Sequence, residues 1–142
     1  MIAHKRFRAW LKPEEKMYHV VGLEFLQKFF MEKYPLEDNL SMITMEGEYG
    51  QVRSLPKYIN LMMFSTLLDK EDDEICQSDI VEIELEKGRF RSEVFYEDGC
   101  FWIYDWDADH PNALLPLCDY AKDLIILGNV YEHPHMLEEG EW

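Results

Sequence analysis

Three aspartates and a histidine fall within six consecutive positions of the sequence: Asp105, Asp107, Asp109 and His110. An EF-hand calcium loop begins with a similar D-x-D-x-D run, because alternating carboxylates supply oxygen ligands to the ion. The rest of that loop does not match, since His110 replaces the required glycine and Pro116 the bidentate glutamate. We therefore interpret the cluster as a solvated acidic turn and only a weak metal candidate.

A second pair of potential metal ligands, His133 and His135, lies near the C-terminus. Two imidazoles at this spacing in an extended segment can chelate zinc or nickel. A structural or catalytic site needs a third ligand, and Cys118 or Asp109 would be an arbitrary choice for it. The pair is a weak metal candidate, and we predict no cofactor.

Motifs of covalent or cofactor chemistry are missing from the sequence. It contains no G-x-S-x-G elbow, no C-x-x-C, no P-loop and no G-x-G-x-x-G. With 29 acidic residues, any acid/base pair chosen from the sequence would be arbitrary. The sequence thus assigns no catalytic and no cofactor-binding residue. It favours a protein without enzymatic activity over an enzyme with a carboxylate site.

The charge of the chain is strongly negative, with 14 basic and 29 acidic residues and a net charge of −15. The first 16 residues differ, because they hold five basic and two acidic residues. An acidic body repels phosphate backbones, so we predict no direct binding to nucleic acid. The charge can serve solubility alone, or it can imitate a nucleic acid on a rigid sheet.

Cysteine usage and hydropathy indicate the compartment. Cys76, Cys100 and Cys118 are odd in number and widely spaced, which is typical of reduced cytosolic thiols buried as small apolar side chains. The sequence has no apolar run of about 18 residues, so we predict no membrane span. The N-terminus lacks the features of a signal peptide. We predict a cytoplasmic protein.

The clearest structural pattern is an antiparallel meander over Asp79–Trp106. Val81, Ile83 and Leu85 alternate with glutamates, as on a half-buried strand. The turns EKG and EDG (Glu97–Gly99) separate three such strands. Closing a meander into a barrel removes its open edges, which favours a small barrel.

Other segments give weaker predictions. RFRAW predicts a strand and KPEEKM a turn, whereas the periodicity within 20–64 predicts no single structure. DKEDDE (Asp69–Glu74) predicts an exposed loop. ALLPLCDYAKD predicts one short helix with Pro116 near its first turn. Leu124–Tyr131 predicts a buried strand with Gly128 at a bulge or a close approach.

Aromatic residues occupy both faces of the predicted meander. The alternation predicts one set opposite the other: Phe95, Trp102, Tyr104 and Trp106 against Tyr96, Phe101 and Ile103. A small barrel has only one interior, so some of these rings must pack elsewhere in the chain or against another subunit. We predict a homo-oligomer.

Three blocks of the sequence resemble the YopX family of phage and prophage proteins. FRAWLKPEEKMY resembles that family's K-F-R-A-W-D strand, which is followed by K-M. LLDKEDDEICQSDIVEI resembles T-G-L-x-D-x-x-G-x-x-I-Y-x-G-D-I-V, and LGNVYEHPHML resembles I-G-N-I-Y-E-N-P-E-L-L. The resemblance implies a mostly β protein with an SH3-like barrel in its C-terminal part, a phage or prophage setting, and no established catalytic residues.

The chain departs from this family pattern at glycines. Thr66, Leu67 and Leu68 stand in place of T-G-L, Ser78 replaces the glycine before D-I-V, and the loop glycine is lost within KEDDE. Because glycine tolerates backbone that other residues avoid, we expect the turn before the meander to change shape. Asp79 can cap that turn through its carboxylate.

These patterns and the resemblance together predict a mainly β fold class. The predicted parts are an N-terminal β or mixed segment (1–68), an SH3-like barrel part (69–137) with one or two short helices, and an acidic tail (138–142). We expect them to form one compact unit. The predicted function is a non-enzymatic phage or prophage accessory protein. Its partners would be a second copy of itself or a host or phage protein. The alternative is an acidic mimic of nucleic acid that inhibits a host DNA-binding protein.

Overall fold

A computed structural model of the chain describes residues 6–25, 40–86, 88–105 and 113–138. Strands dominate these residues and the sheets are antiparallel, so the mainly β class is confirmed. The chain divides into two compact units, Met1–Met62 and Met63–Trp142.

In the described part of the first unit, the strand order is β4-β3-β2-β1-β5. The strands from β1 to β4 pair antiparallel with their neighbours in this order. The bounds are β1 Phe7–Leu11, β2 Lys16–Phe25, β3 Leu40–Gly47, β4 Gly50–Ser54 and β5 Ile59–Leu68, with a 3-10 turn at Pro56–Tyr58 before β5. The strand β5 runs through the boundary between the units.

The first strand and turn follow the sequence prediction. Residues 7–10 of RFRAW lie in β1, where Ala9 and Leu11 are buried. The predicted turn lies between β1 and β2, and there Glu15 N donates a hydrogen bond to Lys12 O (3.3 Å). The ambiguous stretch 20–64 is mostly strand where it is described, because β2 continues past a register shift next to Gly22.

The core of the first unit is apolar. Its buried members come from alternate positions of neighbouring strands, as expected for a sheet with one covered face. They are Ala9, Leu11, Tyr18, Ile43, Met45 and Ile59.

The described part of the second unit contains two three-stranded sheets, ordered β12-β7-β8 and β11-β10-β9, and a short strand β6 that pairs with the later part of β5. The bounds are β6 Glu74–Cys76, β7 Asp79–Leu85, β8 Gly88–Glu93, β9 Phe95–Glu97, β10 Cys100–Asp105, β11 Ala113–Pro116, α1 Leu117–Tyr120, β12 Leu124–Asn129 and α2 His135–Glu138, with a 3-10 turn at Ala121–Asp123. Among the described residues, no helix has the length and apolar character that a membrane span requires.

The predicted meander is confirmed. The strand β7 pairs with β8, and β9 pairs with β10, both antiparallel. The turn between β9 and β10 has positive φ at Asp98 (53°) and Gly99 (81°), as a type I′ hairpin requires. Val94 separates β8 from β9, so the middle strand of the meander has two parts.

The two sheets of the second unit do not form a closed barrel over the described residues, and the SH3-like barrel is not confirmed. After the interruption at Val94, β10 takes β9 rather than β8 as its ladder partner. A side chain links β8 to β10 instead, because Tyr104 N donates to Ser92 Oγ (2.9 Å).

The segment ALLPLCDYAKD is not one helix as predicted. Residues Ala113–Pro116 form β11, whose pairing with Trp102–Asp105 of β10 outweighs the helical pattern. The helix α1 begins only after Pro116, and it buries Leu117. The strand predicted at Leu124–Tyr131 is found as β12, which ends two residues earlier and is half-buried between Leu124 and Asn129 rather than buried throughout. The predicted bulge at Gly128 is confirmed, because the ladder with β7 shifts register between Ile126 and Gly128.

Within residues 63–79, just before the meander, three non-glycine residues adopt a left-handed backbone: Thr66 (φ 68°), Asp72 (64°) and Ser78 (72°). These three residues are evenly spaced, and the three glycines of the family pattern T-G-L-x-D-x-x-G-x-x-I-Y-x-G-D-I-V have the same spacing. The first glycine of that pattern therefore matches Thr66 and not Leu67. At these positions the chain adopts the left-handed backbone that glycine tolerates best, and the expected change of turn shape stays a prediction.

The cysteine prediction is correct for one residue of three. Cys76 is buried on β6, whereas Cys100 and Cys118 are exposed, and all three are free thiols. Cys100 follows the β9–β10 turn and Cys118 lies on the outer side of α1, where sequence periodicity is too short to indicate burial.

Candidate functional site

The acidic cluster with His110 lies mostly outside the described residues. Asp105 is the last residue of β10, while Asp107, Asp109 and His110 are not described. Among the residues that are described, no group of three or more histidine, cysteine or acidic side chains is placed to hold a metal ion.

The histidine pair His133 and His135 lies after β12, with ring centroids 6.4 Å apart. His133 Nδ1 accepts a hydrogen bond from Asn129 N (3.3 Å). The His133 ring also occupies the space that a side chain at Gly128 would need, which confirms the predicted close approach. His133 therefore positions the turn that follows β12.

The predicted exposed loop at Asp69–Glu74 is confirmed for residues 70–73, which are exposed, and is wrong for Asp69, which is only 3% exposed. Its Oδ1 accepts hydrogen bonds from Glu71 N and Asp73 N, both 2.9 Å. Its Oδ2 accepts one from Ile126 N of β12 (3.0 Å). A buried carboxylate is tolerated when backbone N–H groups satisfy its oxygens. Asp69 thereby joins the acidic loop to β12.

Two further polar residues of the family-like blocks are buried. Asp79 Oδ2 accepts a hydrogen bond from Cys76 N (2.8 Å), which confirms the predicted cap. Asn129 Oδ1 accepts from Tyr131 N (3.1 Å) and Glu132 N (2.9 Å). These contacts fold loops on themselves, and a carboxylate engaged by backbone donors is poorly placed to exchange protons with a substrate.

The pKa values of Glu93 and Tyr18 are shifted. Burial raises the pKa of the Glu93 carboxyl at the end of β8. In the first unit, the hydrogen bond from Tyr18 Oη to Glu14 Oε2 (2.6 Å) and, secondarily, burial raise the pKa of Tyr18. The two groups lie in different units, and neither shift by itself defines an active site.

A shallow recess of about 280 Å³ lies in the first unit beside the turn between β3 and β4. Its walls include Lys16, Tyr18, Glu48 and the almost fully exposed Tyr49. The Lys16 ammonium lies 5.2 Å from the centre of the Tyr18 ring. The sequence did not predict this recess. The feature that could have indicated it is Tyr49, an aromatic residue in the short turn between Gly47 and Gly50.

The second unit presents an aromatic surface on the sheet β11-β10-β9. Residues directly opposite each other in an antiparallel sheet share a face. Trp102 lies opposite both Phe95 and Pro116, and Tyr104 lies opposite Leu114. We call these five residues the aromatic face.

The opposite side of the same sheet packs into the core. Ile103 is fully buried there, and Phe101 packs against the core cluster. The predicted division of aromatic residues into two faces is therefore confirmed, and Trp106 lies outside the described residues. Tyr96, which makes an edge contact with Phe101 (5.1 Å), is nevertheless exposed at the end of β9.

The side chains of the aromatic face are ordered by contacts with each other. The rings of Phe95 and Tyr104 stack with centroids 4.7 Å apart and 26° between their planes. Trp102 Nε1 donates to Glu97 O (2.9 Å), which directs the indole toward the β9–β10 turn. Tyr104 and Leu114 each keep 42% of their surface exposed. The face is a preformed apolar platform that another molecule can cover.

The fold and this face define a mainly β protein with a candidate protein-contact surface. The chain belongs to the YopX family, because the family model described as YopX protein matches residues 6–138. No curated protein was found to be similar in sequence.

Two solved structures have the same fold. The first is protein EF1440 from Enterococcus faecalis, with 20% identity, a TM-score of 0.60, and coverage of 93% of this chain and 96% of that one. The second is protein yopX from Bacillus subtilis, with 16% identity, a TM-score of 0.60, and coverage of 95% and 99%. At such low identity these likenesses show the fold alone.

Proposed function

We propose that the protein is a non-enzymatic protein–protein interaction module whose contact surface is the aromatic face. The observation that carries this proposal is the stacked pair Phe95 and Tyr104, which lies on the outer side of a sheet whose inner side holds the buried Ile103. Aromatic side chains with rigid geometry are enriched at the centres of protein interfaces.

Membership of the YopX family supports a phage or prophage accessory role, and three free cysteines support a reducing cytoplasm. We also propose that β7, β8, β9 and β10 are an opened relative of an SH3-like barrel. The meander order of these strands and the hydrogen bond from Tyr104 to Ser92 support this relationship.

The first partner to test is a second copy of the chain. We expect light scattering at micromolar concentration to report a mass above the 17.1 kDa of one chain. Tyr104→Glu, which places a charge on the aromatic face, should return the mass to that of one chain. Tyr49→Glu is the matched control, because Tyr49 is an exposed tyrosine of the first unit.

Two results would contradict a contact through this face. The first is that Tyr104→Glu and Tyr49→Glu leave the same oligomer. The second is that the wild-type chain is a monomer and that proteins captured from a phage-infected host bind the Tyr104→Glu variant equally well.

A second candidate function is mimicry of nucleic acid, and the charge of the second unit favours it. Residues 63–142 contain 21 acidic and 5 basic residues, whereas residues 1–62 contain 8 acidic and 9 basic residues. An acidic sheet surface can occupy the cleft of a DNA-binding protein. Displacement of duplex DNA from a host nuclease or repressor would support this function, and no displacement at low salt would refute it.

A further inference from the structure

The aromatic face lies in a segment whose charged side chains are all acidic. From Ser92 to Ala121 the sequence has seven acidic residues and no lysine or arginine. Strand pairing places Glu97 opposite Cys100, on the same side of the sheet as Trp102. Glu97 and its neighbour Asp98 are exposed at the β9–β10 turn.

The neighbouring sheet β12-β7-β8 differs, because Glu82 on β7 has basic partners. Glu82 pairs with Arg91 at 3.1 Å and with Arg89 at 3.7 Å. Two of the five cations of the second unit, Arg89 and Arg91, are thus placed on β8, outside the ladder that carries the aromatic face. A molecule that covers the aromatic face meets exposed rings and carboxylates together.

Exposed rings beside carboxylates favour a partner with cationic side chains. Ring faces attract cations, and guanidinium groups stack on them best. Carboxylates bind the same guanidinium groups through paired hydrogen bonds. The aliphatic stems of arginine and lysine can also cover apolar surface such as Leu114. A phosphate backbone is repelled by the same carboxylates.

A second copy can cover the rings of this surface, but it does not complement the charge beside them. A symmetric contact between two aromatic faces brings two acidic surfaces together, and their like charges repel each other. Such a dimer should strengthen as salt screens this repulsion, whereas a cationic partner should bind more weakly as salt rises.

We propose that the aromatic face binds a cationic, arginine-rich segment of another polypeptide. This rests on the proposed function of the face as a protein contact. Arginine side chains of the segment stack on Tyr104 and Phe95, and Glu97 and Asp98 pair with neighbouring cations at the β9–β10 turn.

The test measures binding of fluorescently labelled eight-residue peptides of arginine, lysine and glutamate to the full-length chain by anisotropy. We expect the arginine peptide to bind more tightly than the lysine peptide and the glutamate peptide not to bind. Tyr104→Ala should weaken arginine-peptide binding by about fivefold to tenfold. Tyr104→Phe keeps the ring and should change the affinity less than about twofold.

A matched pair of charge variants separates a specific site from general attraction to an acidic protein. Glu97→Gln/Asp98→Asn removes two charges beside the face. Glu71→Gln/Asp72→Asn removes two charges from the other exposed acidic turn, and Asp72, like Asp98, has positive φ, which asparagine tolerates. We expect the first variant to weaken arginine-peptide binding by about tenfold and the second by less than about twofold at equal ionic strength.

Two outcomes overturn the inference and are distinguishable from failure of the proposed function. If both charge variants weaken binding equally and Tyr104→Ala has no effect, the attraction is non-specific and the inference is wrong. If no peptide binds while Tyr104→Glu still abolishes self-association, the face is a protein contact for a different partner. If neither peptide binding nor self-association depends on Tyr104, the inference and the proposed function both fail.

Discussion

The two units of this protein are both antiparallel β structures, but they differ in what is buried. Among the described residues, the buried side chains of the first unit belong to apolar or aromatic residues. All six buried polar or charged residues lie in the second unit: Ser65, Asp69, Ser78, Asp79, Ser92 and Asn129. The second unit therefore depends on directed hydrogen bonds where the first depends on apolar packing.

This difference follows from backbone regularity. In the first unit the β1–β2 and β3–β4 ladders are regular, and their strands satisfy one another's N–H and C=O groups. The β2–β3 ladder shifts register twice, but the residues Val21, Glu24 and Phe25 at these shifts are exposed. The β5–β6 ladder of the second unit shifts register between Phe64 and Leu68, next to the left-handed Thr66. There Ser65 Oγ donates to Ile75 O (2.7 Å) and accepts from Leu67 N (3.1 Å). Irregular backbone needs side-chain partners, because a buried unpaired N–H or C=O group is costly.

The largest effect should come from Asp69→Ala. This change leaves three backbone N–H groups without their acceptor, so we expect a loss of about 3 kcal/mol or more in the free energy of unfolding. Tyr18→Phe in the first unit removes one hydrogen bond and should cost only about 1 kcal/mol. Urea denaturation measures both.

The control for this comparison is Asp73→Asn, an exposed position in the same loop, which should change stability by less than about 0.5 kcal/mol. Equal losses for Asp69→Ala and Tyr18→Phe would show that the buried polar residues of the second unit have no special role.

A smaller gain should come from restoring glycine at a left-handed position. Thr66 has φ 68°, and Thr66→Gly should stabilise the protein by about 0.5–1 kcal/mol, since relief of strain exceeds the entropic cost of glycine. Thr44 lies in the regular strand β3, so Thr44→Gly should instead destabilise by about 1 kcal/mol. Loss of stability in both variants, by thermal unfolding, would contradict strain at Thr66.

The smallest effect should come from Glu93→Gln. Burial raises the pKa of Glu93 in the folded chain, so its contribution to stability is complete below the unfolded pKa of about 4.3 and is lost as pH rises through the folded pKa. The variant should therefore melt at a higher temperature than wild type at pH 7 and at the same temperature at pH 4. A melting difference that does not depend on pH would mean that titration of Glu93 is not its cause.

Local sequence signals predicted the elements whose contacts are close in the chain. The β9–β10 hairpin follows from EDG, because aspartate and glycine tolerate the positive φ that its turn requires. The cap from Asp79 to Cys76 spans three residues and was also predictable. Partners distant in sequence were not, since Asp69 reaches Ile126 and Ala113–Pro116 pairs with β10 only after folding.

The candidate site divides in the same way. Alternation along β10 placed Trp102 and Tyr104 on one side of the strand and Ile103 on the other, because strand side chains alternate with a period of two. Alternation does not indicate which side is covered. That Ile103 is buried while Tyr104 is exposed depends on the core that packs against one side.

By itself, the sequence determined the mainly β class, the meander, the resemblance to YopX and the acidic charge, because each depends on residue type and local spacing. The tertiary structure alone decided that Asp69 is buried, that Thr66, Asp72 and Ser78 keep a glycine-like backbone, and that the aromatic face is open. The physical reason is that burial and backbone strain depend on neighbours brought together by long-range pairing, which no short window of sequence contains.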